Sequence, residues 1–272
     1  MIICLFLAGC GNDSSVNITS TSSVVEIQNE EDSQNIEELK EDNSEIVEKV
    51  NEEILIDKEF IEELSTEKEV TLDDSSYENI TLAFTGDTYL SDELYNRYVN
   101  AGNNVTGFLS EKVANNFKNV DIMVSNHEYV ATDLPDSARD TRQLYNFKAP
   151  TNREYLWNEM GVDVLSLANN HAMDYGEKSL FDTIETLDSL NLAHIGAGRD
   201  LEDAKKAYIT EINGKKIGIL AACRFIVDGE WYATEDTSGV LTTYDTTPYF
   251  GIVKEEISRL KNEEKCDFVI IR

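Results

Sequence analysis

From residue 80 onward, short apolar runs alternate with segments of helical period. Residues 80–85 alternate as a strand, and 121–125 and 163–167 are apolar runs that read as buried strands. Helices are expected at 92–100, 107–118, 152–159 and 177–190. In the last of these Leu180, Ile184, Leu187 and Leu190 share one face. Gly161 is placed to end the third helix. A short strand at 193–195 leads to Gly196-Ala197-Gly198, and Asp200 is placed to cap a short helix after it. Residues 208–212 and 216–222 flank Asn213-Gly214, a strong hairpin signal. A loop rich in Thr, Asp and Tyr over 228–247, a helix at 250–262 and an apolar run at 266–272 complete the pattern. This order predicts a layered α/β sandwich with mixed sheets. Strand alternation alone does not separate that from a doubly wound sheet.

The first 78 residues read differently. Residues 2–8 are apolar, and Leu7-Ala8-Gly9-Cys10 places small residues before a cysteine after an apolar stretch. That is the lipobox pattern of bacterial lipoprotein processing, with Cys10 as the lipidated first residue of the mature chain. The run is too short to span a bilayer, which takes about 20 residues. Residues 11–78 begin rich in Ser, Thr and Asn, then turn acidic, and they carry more than half of the net charge of −30. Such a composition buries too little apolar surface to offset ordering entropy, so a solvated, partly helical tether is expected. The organisation predicted is a signal at 1–10, a tether at 11–78 and a folded domain at 79–272.

The charge excludes nucleic-acid binding, which calls for a basic face. It equally disfavours docking on anionic lipid. The lipid on Cys10 would be the membrane link, on the extracytoplasmic face of a bacterial cell membrane. Cys223 and Cys266 lack metal-ligand spacing. They are expected as buried free thiols, with a disulfide between them as the alternative.

Three predicted strand ends carry chemistry. Residues 80–85 run into Gly86-Asp87, residues 121–125 into Asn126-His127-Glu128, and residues 163–167 into Ala168-Asn169-Asn170-His171-Ala172-Met173-Asp174-Tyr175-Gly176. A parallel sheet sets such ends along one edge, where open α/β sheets bind ligands. Carboxylates, amide oxygen and imidazole would then converge on one or two divalent metal ions. Taken singly, each residue also has a plain structural reading: the asparagines in turn hydrogen bonds, the histidines as caps or core residues.

The ordered set Gly86-Asp87, Asn126-x-Glu128 and Ala168-Asn169-Asn170-His171-x-x-Asp174-Tyr175-Gly176 resembles the CapA family, the capsule or poly-γ-glutamate biosynthesis proteins of bacteria. Gly196-Ala197-Gly198, the acidic helix start after it and Ala204 are also similar to the family pattern. The resemblance implies the αββα sandwich of the metal-dependent phosphoesterases. It implies Asp87 and Glu128 as anionic metal ligands, with Glu128 as a bridge between two metals, and Asn170 as a neutral ligand. It places His171 beside the metal as the catalytic residue. Asn126, His127 and Asn169 would surround the ligands, and Asp174 would orient His171 or cap the following helix. Mn, Fe, Zn and Mg all suit such a mixed set.

The implied activity is hydrolysis or transfer at a phosphoester or a γ-glutamyl amide. The implied partners are membrane proteins of capsule or poly-γ-glutamate assembly and an anionic polymer or phosphoester substrate. The competing reading is a non-catalytic surface lipoprotein that uses the site as a binding platform. Two departures stand out. The family has an apolar residue at the position of His127, and its pattern continues with a His-Trp-Gly motif and a second His-rich loop. With His127, His171 and His194 as its only histidines, this chain is expected to be incomplete at its C-terminus, to carry about half of the metal site and to be inactive alone.

Overall fold

The computed structural model describes residues 2–7, 79–225, 227, 229–243 and 249–272. Cys10 and the acidic stretch 11–78 lie outside these residues. The strands are β1 (Ile2–Leu7), β2 (Ile80–Thr88), β3 (Ile122–His127), β4 (Val130–Ala131), β5 (Lys148–Ala149), β6 (Val164–Ser166), β7 (Ala193–Ile195), β8 (Ala197–Gly198), β9 (Tyr208–Ile212), β10 (Lys215–Leu220), β11 (Gly239–Val240) and β12 (Phe268–Ile271). The helices are α1 (Asp92–Asn100), α2 (Glu111–Asn119), α3 (Tyr155–Met160), α4 (Glu177–Ser189), α5 (Leu201–Ala204) and α6 (Tyr249–Asn262).

Two sheets dominate. The larger is parallel throughout, in the order β1-β2-β3-β6-β7. The smaller is mixed, in the order β12-β10-β9, with β10 antiparallel to β9 and parallel to β12. Residues 2–7, read above as part of a signal, run along β2 as an edge strand.

The alternation of each strand sets the layers. Ile80, Leu82, Ile122, Val124, Val164 and Ile195 of the large sheet meet Ile217, Ile219 and Ala221 of the small one. Ala83, Met123 and Leu165 point the other way, into a core with Tyr98, Phe117, Trp157 and Leu180 from the helices. Leu220 turns outward to Ala204, Leu241 and Val253. The result is helix, sheet, sheet, helix: the sandwich rather than the doubly wound sheet.

Local sequence explains most boundaries. The hairpin forms at Asn213 and Gly214, both with positive φ (52° and 72°), as a tight type I′ connection needs. Asp200 accepts from Asp203 N at 2.8 Å and caps α5. Gly161 ends α3 at φ 82°. The helix expected at 107–118 is instead a 3₁₀ turn, Val105–Gly107, followed by α2. Asn104 caps the first and Ser110 the second, so the two cannot merge. Likewise 152–159 divides into a 3₁₀ turn at Thr151–Arg153 and α3. Cys266 is a buried free thiol, whereas Cys223 is free but only half-buried.

Gly196 joins β7 to β8 at φ 89°, and a Cβ there would lie 2.5 Å from the Ala168 Cβ and 2.9 Å from the Ala221 oxygen. It lets the loop after β6 approach the second sheet. Gly196→Ala is expected to destabilise the protein by about 2 kcal/mol or more, from clash and backbone strain together, as read by the urea midpoint.

Candidate metal-binding site

Strand register brings the first two motifs side by side. After a register shift between Phe84 and Asp87, Asp87 pairs with Asn126 on the neighbouring strand, and Asn126 pairs with Ser166 on the next. Gly86 and Asp87 thus lie inside β2, beyond the strand end expected at residue 85.

Asn126 is the hub. Its amide nitrogen donates to Asp87 Oδ1 at 2.9 Å and also to Glu128 Oε2. Its oxygen accepts from Asn169 Nδ2 at 3.2 Å. The same Asn169 nitrogen donates to the His127 carbonyl at 2.8 Å, and Asn169 Oδ1 accepts from the His171 N–H at 2.9 Å. Asn169 therefore locks the loop after β6 to the end of β3.

His171 Nδ1 lies 2.8 Å from Asp174 Oδ2, and its Nε2 lies 4.0 Å from Glu128 Oε1. A carboxylate only accepts, so the bond to Asp174 puts the proton on Nδ1 and turns Nε2 to the site. Asp174 is fully buried, and it also accepts from Gln143 Nε2 and the Phe147 N–H. Burial pushes its carboxyl up, while the bond from His171 draws it back down. The Phe147 ring packs on His171 with centroids 4.4 Å apart.

Residues 81–272 match the family described as bacterial capsule synthesis protein PGA_cap. The chain belongs to this family. Among its relatives, a Bacillus anthracis protein named capsule biosynthesis protein CapA is 28% identical over 71% of this chain and 46% of its own length. A Bacillus subtilis protein named PGA biosynthesis protein CapA is 31% identical over 57% of this chain and 41% of its own length. The chain thus spans less than half the length of these relatives. A solved structure of Haemophilus influenzae NAD nucleotidase aligns with 14% identity and a TM-score of 0.36, over 65% of this chain and 27% of that one.

In this family member the donor chemistry fits a divalent metal in one respect. Burial, and next the repulsion from Asp87, push the Glu128 carboxyl up. Two carboxylates converging on one amide are relieved by a cation between them. Geometrically the set is sparse: among the described residues no group of three His, Cys, Asp or Glu side chains is assembled to hold an ion. The structure brings Asp87, Asn126, Glu128, Asn169, His171 and Asp174 into one hydrogen-bonded chain. Asn170 joins it through its backbone carbonyl, which accepts from Gln143 at 3.0 Å.

His127 does not face this edge. It is fully buried, with Nε2 2.8 Å from Glu154 Oε2 and Nδ1 2.9 Å from the Tyr129 carbonyl. It stacks on Tyr129 at 3.9 Å, which makes it a core residue. Gln143 and Phe147 were not singled out in the sequence, because they lie in an irregular loop whose approach to Asp174 has no local pattern.

Proposed function

We propose that this family member acts in capsule or poly-γ-glutamate biosynthesis as a surface lipoprotein held through Cys10, with a divalent-metal hydrolase or transferase site at Asp87, Glu128, Asn170 and His171. The observation that supports the site most is the hydrogen-bonded chain that runs from Asp87 through Asn126 and Asn169 to His171 and Asp174. The names of the Bacillus relatives support the process. Processing before Cys10 would remove β1 and leave β2 as the edge of the large sheet.

A bound divalent ion would supply the charge that polarises a phosphoryl or amide oxygen. The chain's own part is orientation and proton handling. Asp174 holds the His171 ring, so Nε2 is the atom that exchanges a proton with substrate. Asn126 holds the two carboxylates together and Asn169 fixes the loop that carries His171. The binding-platform reading draws its support from the sparse ligand set among the described residues.

The full chain incubated with Mn²⁺ is expected to hydrolyse p-nitrophenyl phosphate or a γ-glutamyl anilide. His171→Ala is expected to lose about 100-fold or more in kcat. If neither substrate turns over in a metal-dependent way, and His171→Ala and Asp87→Ala cells still make capsule, the binding-platform reading replaces the enzyme.

A further inference from the structure

The carboxyl end of β2 opens onto a cavity of about 980 Å³, within the size range of small-molecule sites. It adjoins the register shift between Phe84 and Asp87. Its lining divides into two chemistries. One wall is apolar, built from Leu94 of α1, Phe108, the α2 residues Val113 and Phe117, and the α3 residues Trp157 and Met160. Trp157 and Met160 are 0% and 2% exposed, so this wall is closed to water. The other end is polar and holds Thr85, Thr88, Ser125, Asp87 and Arg272. There the Thr85 hydroxyl donates to Ser125 Oγ at 2.7 Å, and the Ser125 hydroxyl to Thr88 Oγ1 at 3.2 Å. Arg272 Nη2 donates to the Thr85 carbonyl at 2.9 Å, while Nη1 is buried without a hydrogen-bond partner among the described residues. A buried donor left unpaired costs free energy until an acceptor reaches it. Asp87, which shares this end, accepts from the Asn126 amide at 2.9 Å.

We propose that this cavity binds an anionic amphiphile, a molecule with one phosphate or carboxylate head and a hydrocarbon chain. The head accepts from the unpaired Arg272 Nη1, since a guanidinium offers its N–H groups in a fixed fork that fits either head. The hydroxyls of Thr85, Thr88 and Ser125 rotate to suit an acceptor and complete the polar end. The chain lies along the wall formed by α1, α2 and α3. Neither half of the cavity suffices alone. A free oxyanion meets a chain of net charge −30 and has Asp87 beside it as well as Arg272. A neutral hydrocarbon leaves the Arg272 N–H unpaired. An amphiphile answers both, because each buried methylene adds roughly fourfold in affinity, which offsets the repulsion between its head and Asp87. Binding there requires no metal ion.

The test is a calorimetric titration of the full chain with decyl phosphate below its micelle concentration. Hexyl phosphate, inorganic phosphate and decanol serve as comparisons. Decyl phosphate is expected to bind about tenfold or more tighter than hexyl phosphate, and tighter than either inorganic phosphate or decanol. Arg272→Gln is expected to weaken decyl phosphate by about tenfold or more and to leave decanol unchanged, a difference that a general loss of structure would not produce. Val113→Trp and Leu94→Trp fill the cavity from two different helices. Each is expected to abolish binding while the melting temperature shows the variant to be folded. No binding of decyl phosphate overturns the proposal. So does inorganic phosphate, hexyl phosphate or decanol binding as tightly as decyl phosphate, or an Arg272→Gln variant that binds decyl phosphate as wild type does. Binding that persists in the folded tryptophan variants places the amphiphile elsewhere and overturns it as well. If neither tryptophan variant folds, the chain-length dependence and Arg272→Gln decide.

Discussion

Glu154→Ala is expected to lower the stability of the protein by about 3–5 kcal/mol, the scale of removing a buried acceptor shared by several groups and opening a cavity in its place. Glu154 is 0% exposed. Its carboxylate accepts from the Tyr129 hydroxyl at 2.6 Å and from the Trp157 indole N–H at 3.0 Å, and it lies 2.8 Å from His127 Nε2. Alanine would leave three polar groups in a core where water cannot replace the lost acceptor, and would open a cavity beside Trp157. Glu154→Gln keeps the volume and one acceptor oxygen, and its loss should be smaller. The effect should reach the candidate site, because the His127 carbonyl anchors Asn169. Urea unfolding followed by tryptophan fluorescence reads it, provided the slope is unchanged between variants. A loss below about 1 kcal/mol for Glu154→Ala would mean that the cluster is not a keystone of the core.

The second large effect concerns the paired carboxylates. Asp87→Asn combined with Glu128→Gln is expected to weaken Mn²⁺ binding by about 100-fold or more, since a neutral amide offers a hard divalent cation far less than a carboxylate does. In the metal-free protein the same change should act in the opposite direction. Burial and the neighbouring Asp87 raise the Glu128 carboxyl above its ordinary value. A carboxyl with a raised value in the folded state contributes stability below its unfolded value, and that contribution is lost as pH rises through the folded value. Once ionised, Glu128 is therefore a net burden on folding, and Glu128→Gln removes it. Expected together are an unchanged or higher melting temperature without metal and loss of the metal-induced rise in melting temperature. A metal-induced rise that survives both substitutions would place the metal elsewhere.

Much of the site was readable because it is built from strand ends. Asp87, Glu128 and the Asn170-His171 pair each follow a short apolar run, and parallel neighbours set such ends in a row whatever the rest of the chain does. His127 shows the limit of that logic. Neighbouring residues on a strand point to opposite sides, so Asn126 reaches the site while His127 enters the core. Which side each takes depends on the register of β3 against β2. Gln143 and Phe147 were beyond reach for another reason: their link to Asp174 spans 27 or more residues through an irregular loop, and no periodicity encodes such a contact.

The sequence by itself determined the longer strands and most of the helices of residues 80–272, the hairpin at Asn213-Gly214, the caps at Asp200 and Gly161 and the three chemistry-bearing strand ends. These depend on local conformational preference and on the period of apolar positions. Only the tertiary structure decided that two sheets pack face to face, that Asn126 ties Asp87 to Glu128 and that His127 belongs to the core. Those outcomes depend on register and on which faces bury against each other. They are properties of packing between segments distant in the chain, and no single segment carries them.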